Sequence, residues 1–170
     1  MHRKVVRTAM LVVLLGLVSF AQAPAIRRSS SWEGIAIVVD RSNPLSDISS
    51  TELREILFGD RQWWAHDRPI TLVAMRPGTA ERATVLRSIY GMNEKAFEKF
   101  LVLKIFRGEM ATPPIDFAKA KDVKDAISRT TGAIGYLRVS DVDDSVKVLR
   151  IDGRLPDDDG YPLRLRKRKK

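Results

Sequence analysis

Residues 70–90 read I-T-L-V-A-M-R-P-G-T-A-E-R-A-T-V-L-R-S-I-Y, and the change of pattern midway through them decides the fold class. Residues 70–75 form a short apolar run with β-branched residues, the composition of a buried strand. The run stops at Arg76-Pro77-Gly78-Thr79. Beyond it Ala83, Leu86 and Tyr90 recur at spacings of three and four, which is helical. A strand, a tight glycine-containing turn and a helix start make a unit of an α/β fold. They also make a candidate anion site, because the first amides of a helix lack intrahelical partners and carry the positive end of the dipole. Gly78 lets an anion approach the backbone, and Thr79 caps the helix or donates its hydroxyl. Arg76 and Arg82 flank the turn as forked, charge-assisted donors. The same spacing equally suits an ordinary strand-to-helix turn with a Thr N-cap and two solvated arginines.

Outward from this unit, strand and helix alternate. I-A-I-V-V at 35–39 predicts a buried strand, and 40–47, with Asn43-Pro44, a loop. Ser49 with Glu52 three residues on is a capping box that starts a helix over 50–57, stopped by Gly59. Residues 61–69 form a turn region holding Trp63 and Trp64, one ring expected to be a buried anchor and the other half-exposed. After the helix at 80–90, Gly91 stops it and Asn93 caps another through residue 105. Ala96, Phe97, Phe100, Leu101 and Ile105 are its apolar stripe, and Phe97, Phe100 and Phe106 a core cluster. Pro113-Pro114 breaks the chain. A helix at 121–129 and strands at 133–137 and 146–151 complete the pattern. Helices between short apolar strands predict a single α/β domain with a small, largely parallel sheet flanked by helices.

The ends of the chain bound its compartment. Residues 1–8 carry Arg3, Lys4 and Arg7 and no acid; 9–20 are apolar and small residues follow. That is the layout of a secretory signal peptide over 1–25, cleaved near Ala23 or Ala25, with an uncleaved N-terminal anchor as the other reading. The apolar core falls short of the about 20 residues that a spanning helix needs. The chain has no cysteine, hence no thiol chemistry or thiolate metal site. Residues 26–33 read as a flexible mature N-terminus, and the product as periplasmic or secreted. Formal net charge is +9 over 170 residues. Three of the cations lie in the leader and six in the last seven residues, which leaves 26–163 with no net charge. A nucleic-acid reader carries its basic footprint on the folded surface, so no specific nucleic-acid role is expected. Residues 154–170 read as an acidic turn and a disordered basic tail, which either touches anionic envelope surfaces or is merely solvated.

The order of these elements resembles the phosphate-type substrate-binding proteins of ABC importers, the class II periplasmic binding proteins. The residues that carry the resemblance are I-A-I-V-V-D-R-S-N-P-L from Ile35, S-S-T-E-L-R-E-I-L-F-G-D-R-Q-W-W from Ser49 and R-P-I-T-L-V-A-M-R-P-G-T from Arg68. F-R-G-E-M-A-T-P-P from Phe106 and T-G-A-I-G-Y from Thr131 follow. It covers residues 35–151. It implies an exported, non-enzymatic module that binds phosphate or a related oxyanion for uptake or sensing, with an importer permease or another envelope protein as partner. Such proteins are two-lobed clamshells, and the residues here match a single binding-protein-like lobe, over 34–153, of an apparently truncated member. Arg76, Gly78 and Thr79 match the family's anion-binding positions, in a shortened turn where Pro77 removes one N–H donor. Arg82 is added from its nearness to the turn alone.

Other chemistry is sparse. His66, the one histidine past the leader, sits in a polar turn without partners at metal or triad spacing. Asp157-Asp158-Asp159 before Gly160 lacks the calcium-loop spacing and its later glutamate. No nucleophile with a base, paired acid and base, metal cluster or cofactor motif stands out, and the chain reads as a non-enzyme. Two classes of function remain: an anion-binding module, and a ligand-free scaffold or interaction protein that keeps the fold.

Overall fold

A computed structural model of the protein describes residues 31–167. The expected leader at 1–25 and the last three residues of the basic tail lie outside the described residues. Strand β1, Trp32–Val39, is fully buried from Gly34 onward. It is followed by β2, Asp47–Ile48, α1, Ser50–Leu57, and β3, Thr71–Met75. Helix α2, Ala80–Val85, continues as one π-type segment, Leu86–Tyr90, and α3 is Glu94–Phe106. The remaining elements are β4, Ile115–Phe117, α4, Ala120–Arg129, β5, Ala133–Arg138, β6, Lys147–Ile151, and β7, Arg164–Arg166. No helix among the described residues is long and apolar enough to cross a membrane.

The seven strands form one sheet in the order β2-β6-β1-β5-β3-β4, with β7 paired to β1. The α/β lobe expected from the sequence is present, and its sheet is mixed. β3 runs parallel to β4 and β5, and β2 parallel to β6. β1 is antiparallel to β5, β6 and β7. A strand buried on both faces is uniformly apolar whichever way its neighbours run, so I-A-I-V-V carries no signal of direction.

Local chemistry sets the elements as read. Ser49 and Glu52 form the capping box of α1, which buries Leu53, Ile56 and Leu57. Asn93 caps α3 by accepting from the Ala96 amide at 2.9 Å. The rings of Phe58 and Tyr90 stack at 4.8 Å, Phe97 meets Tyr90 edge-on at 4.7 Å, and the Tyr90 hydroxyl donates to Leu57 O at 2.7 Å. Trp64 is the buried anchor, donating Nε1–H to Gly132 O at 2.9 Å, and Trp63 is 57% exposed.

Two expectations fail. Phe106 is not core: it is 88% exposed, and Ile105 is 43% exposed. The inward stripe of α3 runs Phe97, Phe100, Leu101 and then Lys104, at i, i+3, i+4, i+7. The Lys104 stem lies along the body and its ammonium pairs with Asp60 at 2.7 Å and Glu109 at 3.2 Å. The last turn therefore shows Val102, Leu103, Ile105 and Phe106 to solvent.

Residues 163–166, expected within the disordered basic tail, belong to the fold. Leu163 and Leu165 are buried, and β7 pairs with Trp32, Glu33 and Gly34 of β1. The amide of Ile35 donates to Leu163 O at 2.8 Å, and the Tyr161 hydroxyl to Ile35 O at 2.8 Å. L-R-L-R alternates with the period of a half-buried strand, a pattern hidden inside a run of cations. Trp32 likewise belongs to β1 and not to a loose N-terminus. Leu163→Ala is expected to cost about 2–5 kcal/mol, as for other fully buried leucines, read from the urea unfolding midpoint. A truly disordered tail would show no change.

Candidate functional site

β3, β4 and β5 are parallel neighbours, so their C-terminal ends share one edge of the sheet. Ligands of α/β sheets bind at such edges. Arg76 follows β3 there, and its amide donates to Phe117 O at the end of β4, 2.8 Å away. Pro77 and Gly78 make the turn, and Thr79 is the N-cap of α2. The Thr79 hydroxyl donates to Arg76 O at 3.0 Å and accepts from the Arg82 amide at 3.4 Å. That leaves the Ala80 amide, the first of the helix, without an intrahelical acceptor. Gly78 has φ +87°, and a Cβ added there would meet nothing within 4 Å, so its backbone faces open space. Arg76, Pro77 and Gly78 are exposed. Among the described residues no carboxylate pairs with the Arg76 guanidinium. An open groove of about 570 Å³ runs from Gly78 and Thr79 along Ala80, Ala83 and Leu86 to Met92 and Asn93.

The structure brings Arg76, Gly78 and Thr79 together and removes Arg82 from the set. Arg82 points away from the turn into the body and is 4% exposed. Its Nε and Nη2 reach Glu94 Oε1, each at 2.8 Å, and its Nη1 reaches Asp116 Oδ1 at 2.8 Å and Met75 O at 3.1 Å. The guanidinium also lies 5.2 Å above the Phe97 ring. Its Nε, Nη1 and Nη2 all serve the fold. Burial opposes its charge, yet Glu94 and Asp116 outweigh it and hold the guanidinium protonated more firmly than usual. Asp116 shares that cation with Glu94, so burial prevails at its carboxyl, which is pushed up. Position near the turn in sequence is a poor guide, because the rotation of α2 against the sheet turns residue 82 toward Met75, Glu94 and Asp116.

A second buried arginine, absent from the sequence reading, ends β5. Arg138 is 4% exposed; its Nε pairs with Glu81, in the first turn of α2, and its Nη1 reaches Glu33 Oε2 at 3.3 Å and Arg166 O at 3.3 Å. Glu33 also accepts from the Ser140 amide at 2.9 Å. Burial works to raise the Glu33 carboxyl, but the Ser140 and Arg138 donors prevail and hold it below the usual glutamate range. Its contribution is therefore complete above the ordinary glutamate value and fades as pH falls through the lowered one. The available signal was an arginine closing an otherwise apolar strand, A-I-G-Y-L-R.

Asp40 is buried and accepts from the Gly132 amide at 2.9 Å, which ties the β1 end to the start of β5. His66 is exposed, and among the described residues no group of His, Cys, Asp or Glu could hold a metal ion.

The comparisons bear out the resemblance to the phosphate-type substrate-binding proteins, with this chain matching part of their length. The chain is 32% identical over 129 residues to the phosphate-binding protein PstS of Bacillus subtilis (strain 168), a match covering 73% of this chain and 38% of that protein. Among solved structures it is similar to a putative phosphate ABC transporter substrate-binding protein with bound phosphate from Clostridium perfringens. The TM-score is 0.65 at 22% identity, over 79% of this chain and 53% of that one. An ABC-type phosphate transport receptor from Vibrio cholerae gives a TM-score of 0.65 at 20% identity, over 79% and 54%. The chain thus spans about half the length of these structures, and less of the PstS chain. No family model matches it.

Proposed function

We propose that this chain is an exported binding module for phosphate or a related oxyanion, serving uptake or sensing. The observation that carries the reading is the Arg76 turn. An exposed guanidinium with no carboxylate partner among the described residues stands beside a left-handed glycine facing open space and the first amide of a helix. The similarity to proteins named for phosphate binding supports the choice of anion. Arg76, Gly78 and Thr79 hold the ligand, and Arg82 supports the wall behind them. The turn is open to water, so its contacts are screened and affinity rises when a second surface covers it. An importer permease or another envelope protein is the natural partner, and the basic residues at the C-terminus adhere to anionic envelope surfaces.

The test is calorimetric titration of phosphate into residues 26–170 at low salt, with sulfate as control. Saturable heat is expected with the wild type and none with Arg76→Ala. The variant should melt within about 0.5 kcal/mol of the wild type, as a surface substitution does. Binding that survives Arg76→Ala refutes the site.

A second reading, an interaction protein that has lost its ligand, rests on the last turn of α3. Val102, Leu103, Ile105 and Phe106 are all more than 40% exposed there, an apolar cluster of the kind that marks contact surfaces. Flat titrations from folded wild-type protein favour it.

A further inference from the structure

We infer that Arg138 is a positioning residue through which β1 and β7 set the geometry of the anion-binding turn. The inference rests on the proposed binding at Arg76–Thr79 for its function, and on the fold alone for its mechanics.

One buried guanidinium touches three separate pieces of chain. Through Nε it holds Glu81, two residues past Thr79 in the first turn of α2. Through Nη1 it holds Glu33 on β1 and the Arg166 carbonyl on β7. The side chains of Arg138, Glu81 and Glu33 are 5%, 7% and 11% exposed, so water screens the cluster little. Arg138 is planar and forked, and a displacement of either partner is carried to the other without slack.

The turn has few other restraints on that side. A Cβ added at Gly78 would meet nothing within 4 Å, and Arg76 and Pro77 are exposed. Arg82 anchors the inner face of α2 to Met75, Asp116 and Glu94, but none of these belongs to β1 or β7. The Glu81–Arg138 contact is thus the charged link from the first turn of α2 to the strands by which the chain runs into and out of the body. Ser31 O and Lys167 N, 2.9 Å apart, mark where those strands meet. A change in how β1 and β7 pair alters where Glu81 sits, and with it the geometry of the first turn of α2. Reciprocally, an anion held at that turn favours one arrangement of the strands. This is a coupling device, and Glu33, on the far side of Arg138 from the turn, is its remote handle.

The experiment is hydrogen exchange on the full chain without ligand, comparing wild type, Glu33→Gln and Arg138→Lys. Glu52→Gln, in the capping box of α1, serves as a control that weakens the fold elsewhere. Glu33→Gln keeps the shape of the side chain and removes its charge. Exchange at the Arg82, Ala83 and Thr84 amides is expected to quicken at least about threefold in Glu33→Gln and more in Arg138→Lys. The amides of Val73 and Tyr136 should hold, and Glu52→Gln should spare α2. Unchanged α2 exchange in both variants, or equal acceleration everywhere, overturns the coupling. Phosphate titration then separates the two claims. If the wild type binds, Glu33→Gln should weaken affinity about threefold or more although it lies outside the turn, and an unchanged affinity overturns the positioning role. If the wild type gives no heat while α2 exchange still responds, the coupling stands and the binding proposal falls.

Discussion

Arg82→Met is expected to remove about 3 kcal/mol or more of stability, the usual consequence of stripping one partner from a buried charge cluster. The guanidinium is 5% exposed and meets Glu94, Asp116 and the Met75 carbonyl. Without it Glu94 and Asp116, near enough to repel each other, lose the cation they share. Both acids are about one-third exposed, at 31% and 34%, which keeps the loss near the low end of the range for buried pairs. For a domain of this size the melting temperature should fall by roughly 10 °C. Adding Asp116→Asn should restore some of the loss, because the second substitution removes one of the stranded charges. Arg82→Lys, if folded, should keep its affinity for phosphate. Loss of binding in a stable Arg82→Lys protein would return Arg82 to the anion site.

Gly132→Ala should be nearly as damaging, for backbone reasons. Gly132 has φ +87°, where an L side chain costs about 1–2 kcal/mol. An added methyl group would collide with the Pro69 carbonyl oxygen and press Arg68 Cγ at 3.2 Å. Overpacking of this kind typically adds about 1–3 kcal/mol. The same residue accepts from the Trp64 indole and the Thr71 amide, and donates to buried Asp40. A shift large enough to clear Pro69 therefore loosens three elements together. A urea midpoint lower by the equivalent of about 2–5 kcal/mol, with changed Trp64 fluorescence, is the expected result. A loss below about 1 kcal/mol would show that the 68–71 segment yields easily.

What the sequence made legible divides by the range of the interaction. Capping at Ser49, Thr79 and Asn93 and the stops at Gly59 and Gly91 depend on neighbours within a few residues, and each appears where read. The Arg76-Pro77-Gly78-Thr79 turn is local too, and the structure keeps it intact. What failed depends on distant chain. Arg82 pairs with residues 12 and 34 positions away, and Glu33 lies 105 positions from Arg138. β7 needs β1, with Trp32 opposite Arg166 and Gly34 opposite Arg164 at the far end of the chain, before L-R-L-R becomes a strand. Phe106 was misplaced for a subtler reason: the inward face of α3 ends at Lys104, which pairs with Asp60, and residues 105 and 106 turn to solvent.

The pairing of β1 with β7 has a mechanical meaning. Trp32 lies opposite Arg166, Glu33 opposite Leu165 and Gly34 opposite Arg164, with Ser31 and Lys167 at the open end. A load applied between Ser31 and Lys167 acts across the ladder, perpendicular to the strands, and antiparallel bonds so loaded break singly, in sequence from the loaded end. The body therefore hangs from a zipper and not from a shear joint: a weak pull opens the first rungs and reaches the Glu33–Arg138 contact before it disturbs the rest of the sheet.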